Sequence, residues 1–299
     1  MLAEKRAVGG DIGSKAMGKK SDTPEVKMEY KVTVFDREKY SLAEGPFYDE
    51  RFKRYSWVDI TKGRLWTLKD GKKECFELGQ PLGAAIPMPD SEGFILAAMD
   101  GIYSYAGGKA ELLQDLKPYF KPYWRCNDAK LDPHGRLFFG ASVNDDHRAE
   151  GALFCLDNGQ VRILQPNTRI SNGMAWSSDE KSFYFSDSLE YAVFKYDYDA
   201  LTGNITGRKV LFTVENCVPD GLCIDAEDNL WVAFWGGHRV EKRSGKDGRK
   251  LDEIILPAEH VSSCALAEGG KTLFITSSGE GLKGEFDGCL FTCSLENAD

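Results

Sequence analysis

Glu44, Asn127, Asn172 and Asp220 carry carboxylate or carboxamide oxygens, and they recur at nearly even intervals along the chain. Sliding the surrounding phrases over one another extends the series to six positions. These are Glu44, Ala85, Asn127, Asn172, Asp220 and Ser263, separated by 41, 42, 45, 48 and 43 residues. Five residues after each position the sequence reads Asp49, Asp90, Asp132, Ser177, Asp225 and Glu268, which supports the same register. A repeat places equivalent residues at equivalent points around an axis. Two carboxylates that face one another repel, and a divalent cation is the simplest partner that holds them together. The set therefore predicts one hard-cation site ligated by Glu44, Asn127, Asn172 and Asp220. All-oxygen ligation suits Ca²⁺, Mg²⁺ or Mn²⁺ better than Zn²⁺, and none of the four histidines occupies a repeat position. Ca²⁺ is the preferred ion, with Zn²⁺, Mn²⁺ and Mg²⁺ as alternatives. The competing reading is that these polar residues only hydrate a water-filled channel.

The elements that must position this set are short and β-prone. After each repeat position come apolar residues, then a polar turn such as Asp132-Pro-His-Gly135 or Asp225-Ala-Glu-Asp-Asn229. A strand rich in branched and aromatic residues follows, for example Arg136-Leu-Phe-Phe-Gly140 and Asn229-Leu-Trp-Val-Ala233. A third strand closes several repeats, as in Ala152-Leu-Phe-Cys-Leu156 and Cys289-Leu-Phe-Thr-Cys293. Long amphipathic helical patterns are absent; the best candidate, about 110–120, is cut by Pro118 and Pro122. Six such units predict an all-β fold, a six-bladed β-propeller with four-stranded antiparallel blades around a central channel. The segment Tyr30–Phe35 has no partner in its own repeat, so it is expected to pair near Cys289–Cys293 and close the ring. Residues 1–28 lack a strand pattern and are read as a flexible tail or leader, leaving 29–299 as the propeller domain. Trp57, Trp176, Trp231 and Trp235 are expected in the core between blades, and alternation turns Cys126 away from the channel.

The remaining composition excludes several function classes. The net charge is −9, from 38 basic and 47 acidic residues, and no basic stripe interleaved with aromatics is present, which argues against nucleic-acid binding. No apolar run of 18 residues occurs, so no membrane partner is expected. The eight cysteines form no Cys-x-x-Cys pair and are expected to be free thiols in a reducing, cytoplasmic setting.

Several phrases, in order and at blade spacing, carry a family resemblance. They are Leu42-Ala-Glu-Gly-Pro46, Trp57-Val-Asp59, Arg125-Cys-Asn-Asp128 with Asp132-Pro133, Asn172-Gly173, Ser186-Asp-Ser188, Pro219-Asp-Gly221 and Trp235-Gly-Gly237. Over about 30–295 the chain resembles the senescence marker protein 30/gluconolactonase/luciferin-regenerating enzyme family, six-bladed propellers that hydrolyse lactones. The resemblance implies that Glu44, Asn172 and Asp220 bind the metal and that Arg125 and Asn127 contact substrate. It also aligns Asp145 with an acidic residue that binds sugar hydroxyls. Ala43 and Tyr48 depart from the family's usual Gly and Trp, and Asp145 is one carbon shorter than its Glu.

The function expected is a metal-dependent hydrolase that opens an aldono-lactone ring at the channel mouth. A bound dication would acidify a water and stabilise the developing oxyanion. Asp220 is the first choice for general base, with water ionised at the metal as the variant. Arg125 would orient substrate oxygens through forked donation, with structural pairing to Asp128 or Asp145 as its bland alternative. His147 is read as a solvated loop residue. The rival functions are a phosphotriesterase-like hydrolase on the same metal site and a non-catalytic Ca²⁺-binding propeller. The expected partner is a small-molecule lactone, and the expected state a monomer or weak dimer.

Overall fold

Each repeat folds as a four-stranded antiparallel sheet, and six such sheets follow one another around a ring. The computed structural model describes residues 30–143 and 150–296, so the tail expected over 1–28, Asp145 and His147 lie outside the described residues. The innermost strands are Ala43–Asp49, Leu82–Pro87, Trp124–Leu131, Ser171–Trp176, Val218–Ile224 and His260–Ala267, in blades 1 to 6. The only helical element among the described residues is one 3₁₀ turn, Ser188–Glu190. No helix among them is long and apolar enough to cross a membrane. The stretch read as the best helical candidate contributes an outer strand, Lys109–Asp115.

Ring closure follows the expected pairing. Val32–Asp36 pairs antiparallel with Leu290–Ser294, with Val32 opposite Cys293 and Val34 opposite Phe291. The last blade thus takes its outer strand from the start of the propeller, which covers an otherwise free edge.

Apolar cores lie between neighbouring blades. Trp57 is fully buried with Tyr40, Phe274 and Leu290 where blade 6 meets blade 1. Trp176 packs between blades 3 and 4, and Trp231 between blades 5 and 6. Removing a ring of this kind costs about 3–5 kcal/mol. Trp235 is a correction: it belongs to none of these cores and is only half-buried, because it ends its strand at the rim. All eight cysteines are free, and seven are buried. Cys126 faces the core between blades 2 and 3, as alternation predicts.

In blades 3 and 5 the acid five residues after the repeat position has a local job. Asp132 Oδ1 accepts the backbone N–H groups of His134 and Arg136, both at 2.9 Å, and fixes the hairpin turn. Asp225 Oδ1 does the same for Glu227 at 3.0 Å and Asn229 at 2.9 Å.

Candidate metal and substrate centre

Every inner strand contains one extra residue near its start. In blades 3, 4 and 5 the ladder skips from Cys126 to Ala129, from Ser171 to Met174 and from Pro219 to Leu222. Asn127, Asn172 and Asp220 therefore sit inside β-bulges, where their backbone is released from pairing and the side chains are re-aimed. In blade 1 the shift begins at Glu44 itself. In blades 2 and 6 it precedes the repeat position, so Ala85 stays paired with Leu96 and Ser263 with Thr276.

Glycine makes the bulges of blades 4 and 5 possible. A Cβ on Gly173 would stand 2.5 Å from the backbone N of Leu222 and 2.7 Å from the Asp220 carbonyl oxygen. A Cβ on Gly221 would stand 2.0 Å from Ser263 Oγ. The glycines after Asn172 and Asp220 let the next blade's inner strand approach, and so bring Asn172 against Asp220.

Glu44, Asn172 and Asp220 converge. All three are buried, at 6%, 5% and 5% exposure, and the two carboxyls approach closely enough to hydrogen-bond to each other. Asn172 lies beside Asp220 and favours its ionised form. Burial, then the charge of Asp128, pushes the Glu44 carboxyl well above the ordinary carboxylate range. Burial, then the charges of Glu44 and Asp128, pushes Asp220 the same way. Asn172 Nδ2 donates to Ser188 Oγ at 3.0 Å, and Ser188 Oγ donates to the Pro219 carbonyl at 2.8 Å. This chain fixes the orientation of the amide. Asn172 Oδ1 and Asp220 Oδ1 are buried without a hydrogen-bond partner. Buried oxygens of that kind are costly, and a hard cation is the ligand that satisfies both at once. The donor set therefore fits a divalent ion with oxygen preference. No group of three or more His, Cys, Asp or Glu suited to a metal occurs among the described residues. The set here has two carboxylates, and its further donors are carboxamides.

Asn127 is placed differently from the other three. Its Nδ2 donates to the Ser171 carbonyl at 2.9 Å, and its Oδ1 accepts from Arg125 Nη1 at 2.6 Å. Arg125 Nη1 also donates to the Cys126 carbonyl at 3.0 Å. Burial lowers the Arg125 guanidinium pKa, opposed by Glu44, then Cys126, Glu280 and Asp220. Arg125 does not pair with Asp128; Asn127 accepts from its guanidinium instead, and Glu44 and Asp220 act on it electrostatically.

Sequence reasoning missed Asp128 and Ser188. Strict alternation puts Asp128 on the same side as Cys126, but the bulge spanning 127–128 breaks alternation. Asp128 is 8% exposed, and burial pushes its carboxyl up, opposed by Lys130 and the Ala129 N–H. Lys130 Nζ donates to the carbonyls of Met174 at 2.9 Å and Leu222 at 3.1 Å, crossing from blade 3 to blades 4 and 5. Beyond it the channel continues as a cavity of about 240 Å³ walled by groups such as Phe47, Ile86 and Leu266.

The fold and these convergent donors define a class: a six-bladed propeller with an oxygen-donor centre at one mouth of its channel. Residues 42–279 match the family model described as the SMP-30/Gluconolactonase/LRE-like region, and the chain belongs to that family. It is 33% identical over 271 residues to a regucalcin of Danio rerio, covering 85% of this chain and 89% of that protein. A luciferin-regenerating enzyme structure superposes with a TM-score of 0.84 at 28% identity, covering 89% of this chain and 95% of that one. A regucalcin from Agrobacterium tumefaciens, described as a calcium-binding protein, gives 0.83 at 26% identity, covering 88% and 93%.

Proposed function

We propose that the chain is a metal-dependent lactonase that opens a sugar-type lactone at the donor-bearing mouth of the channel. The observation that carries this reading is the convergence of Glu44, Asn172 and Asp220, with two orphaned oxygens, beneath an Arg125 held by Asn127. Glu44, Asn172 and Asp220 would hold the divalent ion, Ca²⁺ being preferred for an all-oxygen set, with Asn127 as a further oxygen at the edge. When bound, the ion supplies Lewis-acid polarisation of the lactone carbonyl and a more acidic water.

The chain's own residues do the rest. Asp220 accepts the proton of the attacking water at a carboxylate oxygen and passes it on to the ring oxygen that leaves. Arg125 presents forked N–H donors to the lactone oxygens and stabilises charge as it develops there. Asn127 fixes Arg125 through the 2.6 Å bond, and Ser188 fixes Asn172. Asp145, aligned with a hydroxyl-binding acid by resemblance, remains a proposed substrate contact. The proposed setting is the cytoplasm, in keeping with eight free thiols.

The test is proton release from a panel of aldono-lactones and organophosphates, using chelator-treated protein with Ca²⁺, Mn²⁺, Mg²⁺ or Zn²⁺ restored. Metal-dependent turnover of a lactone is expected. Turnover of organophosphates alone would move the reading to phosphotriester hydrolysis, and no turnover of either would leave a non-catalytic ion site.

A further inference from the structure

Trp235 ends the second strand of blade 5 and stands opposite Val218, two residues before Asp220 on the inner strand. That pairing puts it at the mouth that holds the donors. Phe234, the preceding residue, packs into the core between blades 4 and 5, so alternation sends Trp235 toward blade 6. There it meets His260, the first residue of the inner strand of blade 6, with ring centroids 4.1 Å apart and planes 17° from parallel. The turn carrying His260 is tied to blade 5, because His238 donates its backbone N–H to the Glu259 carbonyl at 3.2 Å. Burial holds the imidazole below its ordinary pKa, opposed by Glu259 and Asp287, which favours the neutral ring. Trp235 remains half-buried and the His260 side chain 17% exposed, so the stack reaches solvent at the mouth.

Glu280 completes the arrangement. It follows the second strand of blade 6, and its backbone N–H donates to Ser278 Oγ at 3.1 Å. His260 pairs with Ser278, two residues before Glu280, so Glu280 stands at the same end of blade 6 as the stack, and its carboxylate acts electrostatically on both His260 and Arg125. Among the described residues the Glu280 carboxylate has no hydrogen-bond or ion-pair partner, and the residue is exposed.

We propose that Trp235, His260 and Glu280 form a ring-binding subsite on the blade 5–blade 6 side of the mouth, which selects lactones with hydroxylated rings. The substrate class rests on the lactonase reading above. An aromatic wall takes the C–H face of a saturated ring, and a carboxylate accepts hydrogen bonds from adjacent hydroxyls. A pocket built around hydroxyl groups rejects the analogue that lacks them, because its polar atoms are then left unpaired. Arg125 stands on the inner strand of blade 3, across the channel from blade 6, and would address the same ring from that side.

The experiment uses the cyclic amide analogue of an aldono-lactone, titrated calorimetrically into metal-restored protein, so that binding is read without hydrolysis. Trp235→Ala is expected to weaken lactam binding about tenfold or more, Glu280→Gln about tenfold, and Trp235→Phe less than about threefold. In parallel, the kcat/KM ratio for an aldono-lactone over δ-valerolactone should fall about tenfold in Trp235→Ala and recover in Trp235→Phe. Wild-type affinity in Trp235→Ala, or an unchanged ratio, overturns the subsite, as does a wild-type protein that does not bind the lactam. A wild type that binds the lactam in a Trp235-dependent way but hydrolyses no lactone sinks the lactonase reading and leaves the subsite standing.

Discussion

Blades 1, 3, 4 and 5 differ from blades 2 and 6 in two ways that go together. The first group carries Glu44, Asn127, Asn172 and Asp220 within or at the start of the inner-strand bulge; the second carries Ala85 and Ser263 after it, in the ladder. A donor in an unpaired bulge can aim its oxygen at the axis, whereas a residue held in the ladder continues the wall. The repeat supplies position and the bulge supplies direction. It also leaves the ring asymmetric, with the aromatic rim of Trp235 and His260 where blade 5 meets a blade without a strong donor.

The sharpest way to break the comparison is to disarm one donor blade. Asp220→Asn keeps the shape and removes the charge, so lactone kcat should fall by about 10²–10³, the scale of one lost electrostatic contact at a reacting centre. A smaller effect is expected one bond further out. Ser188→Ala removes the 3.0 Å acceptor of Asn172 Nδ2, and ion affinity should fall by about 10–100-fold, measured by calorimetry.

Acidity sharpens the same contrast. Burial, followed by Asp128, raises the Glu44 carboxyl from 4.5 to about 8 in the metal-free protein, and Asp220 is raised in the same direction. A carboxyl raised by folding stabilises the fold while protonated; that contribution is full below the unfolded value and lost as pH climbs through the folded one. Thermal melts in chelator should therefore show Tm falling across about pH 4.5 to 8, with Glu44→Gln flattening the slope. The least effect belongs to a blade without a strong donor: Ser263→Ala should change lactone kcat/KM by less than about threefold.

The repeat spacing, the blade count and the closing strand were legible because each has a strong local signal: turn acids, β-branched runs, and an unpaired Tyr30–Phe35 that found Leu290–Ser294. The outermost strands, such as Lys72–Glu77 and Lys250–Ile255, were not legible, since an edge open to water needs no alternating pattern. Within the site, residue types pointed to Glu44, Asn172 and Asp220. Strict alternation hid Asp128, because a bulge inverts facing by one residue and leaves no compositional mark. Ser188 was hidden because its partner lies in an adjoining segment, 16 residues away. Trp235 was misassigned to the core because composition does not reveal where a strand ends.

We propose that the bulged donors of blades 1, 4 and 5 form one cation site. Calorimetric titration of Ca²⁺ into chelator-treated protein at about pH 7 tests it most directly. One ion per chain is predicted, with binding weakened about 100-fold or more by Asp220→Asn and untouched by Ser263→Ala. An isotherm that is flat in the wild type, or identical in Asp220→Asn, would contradict it.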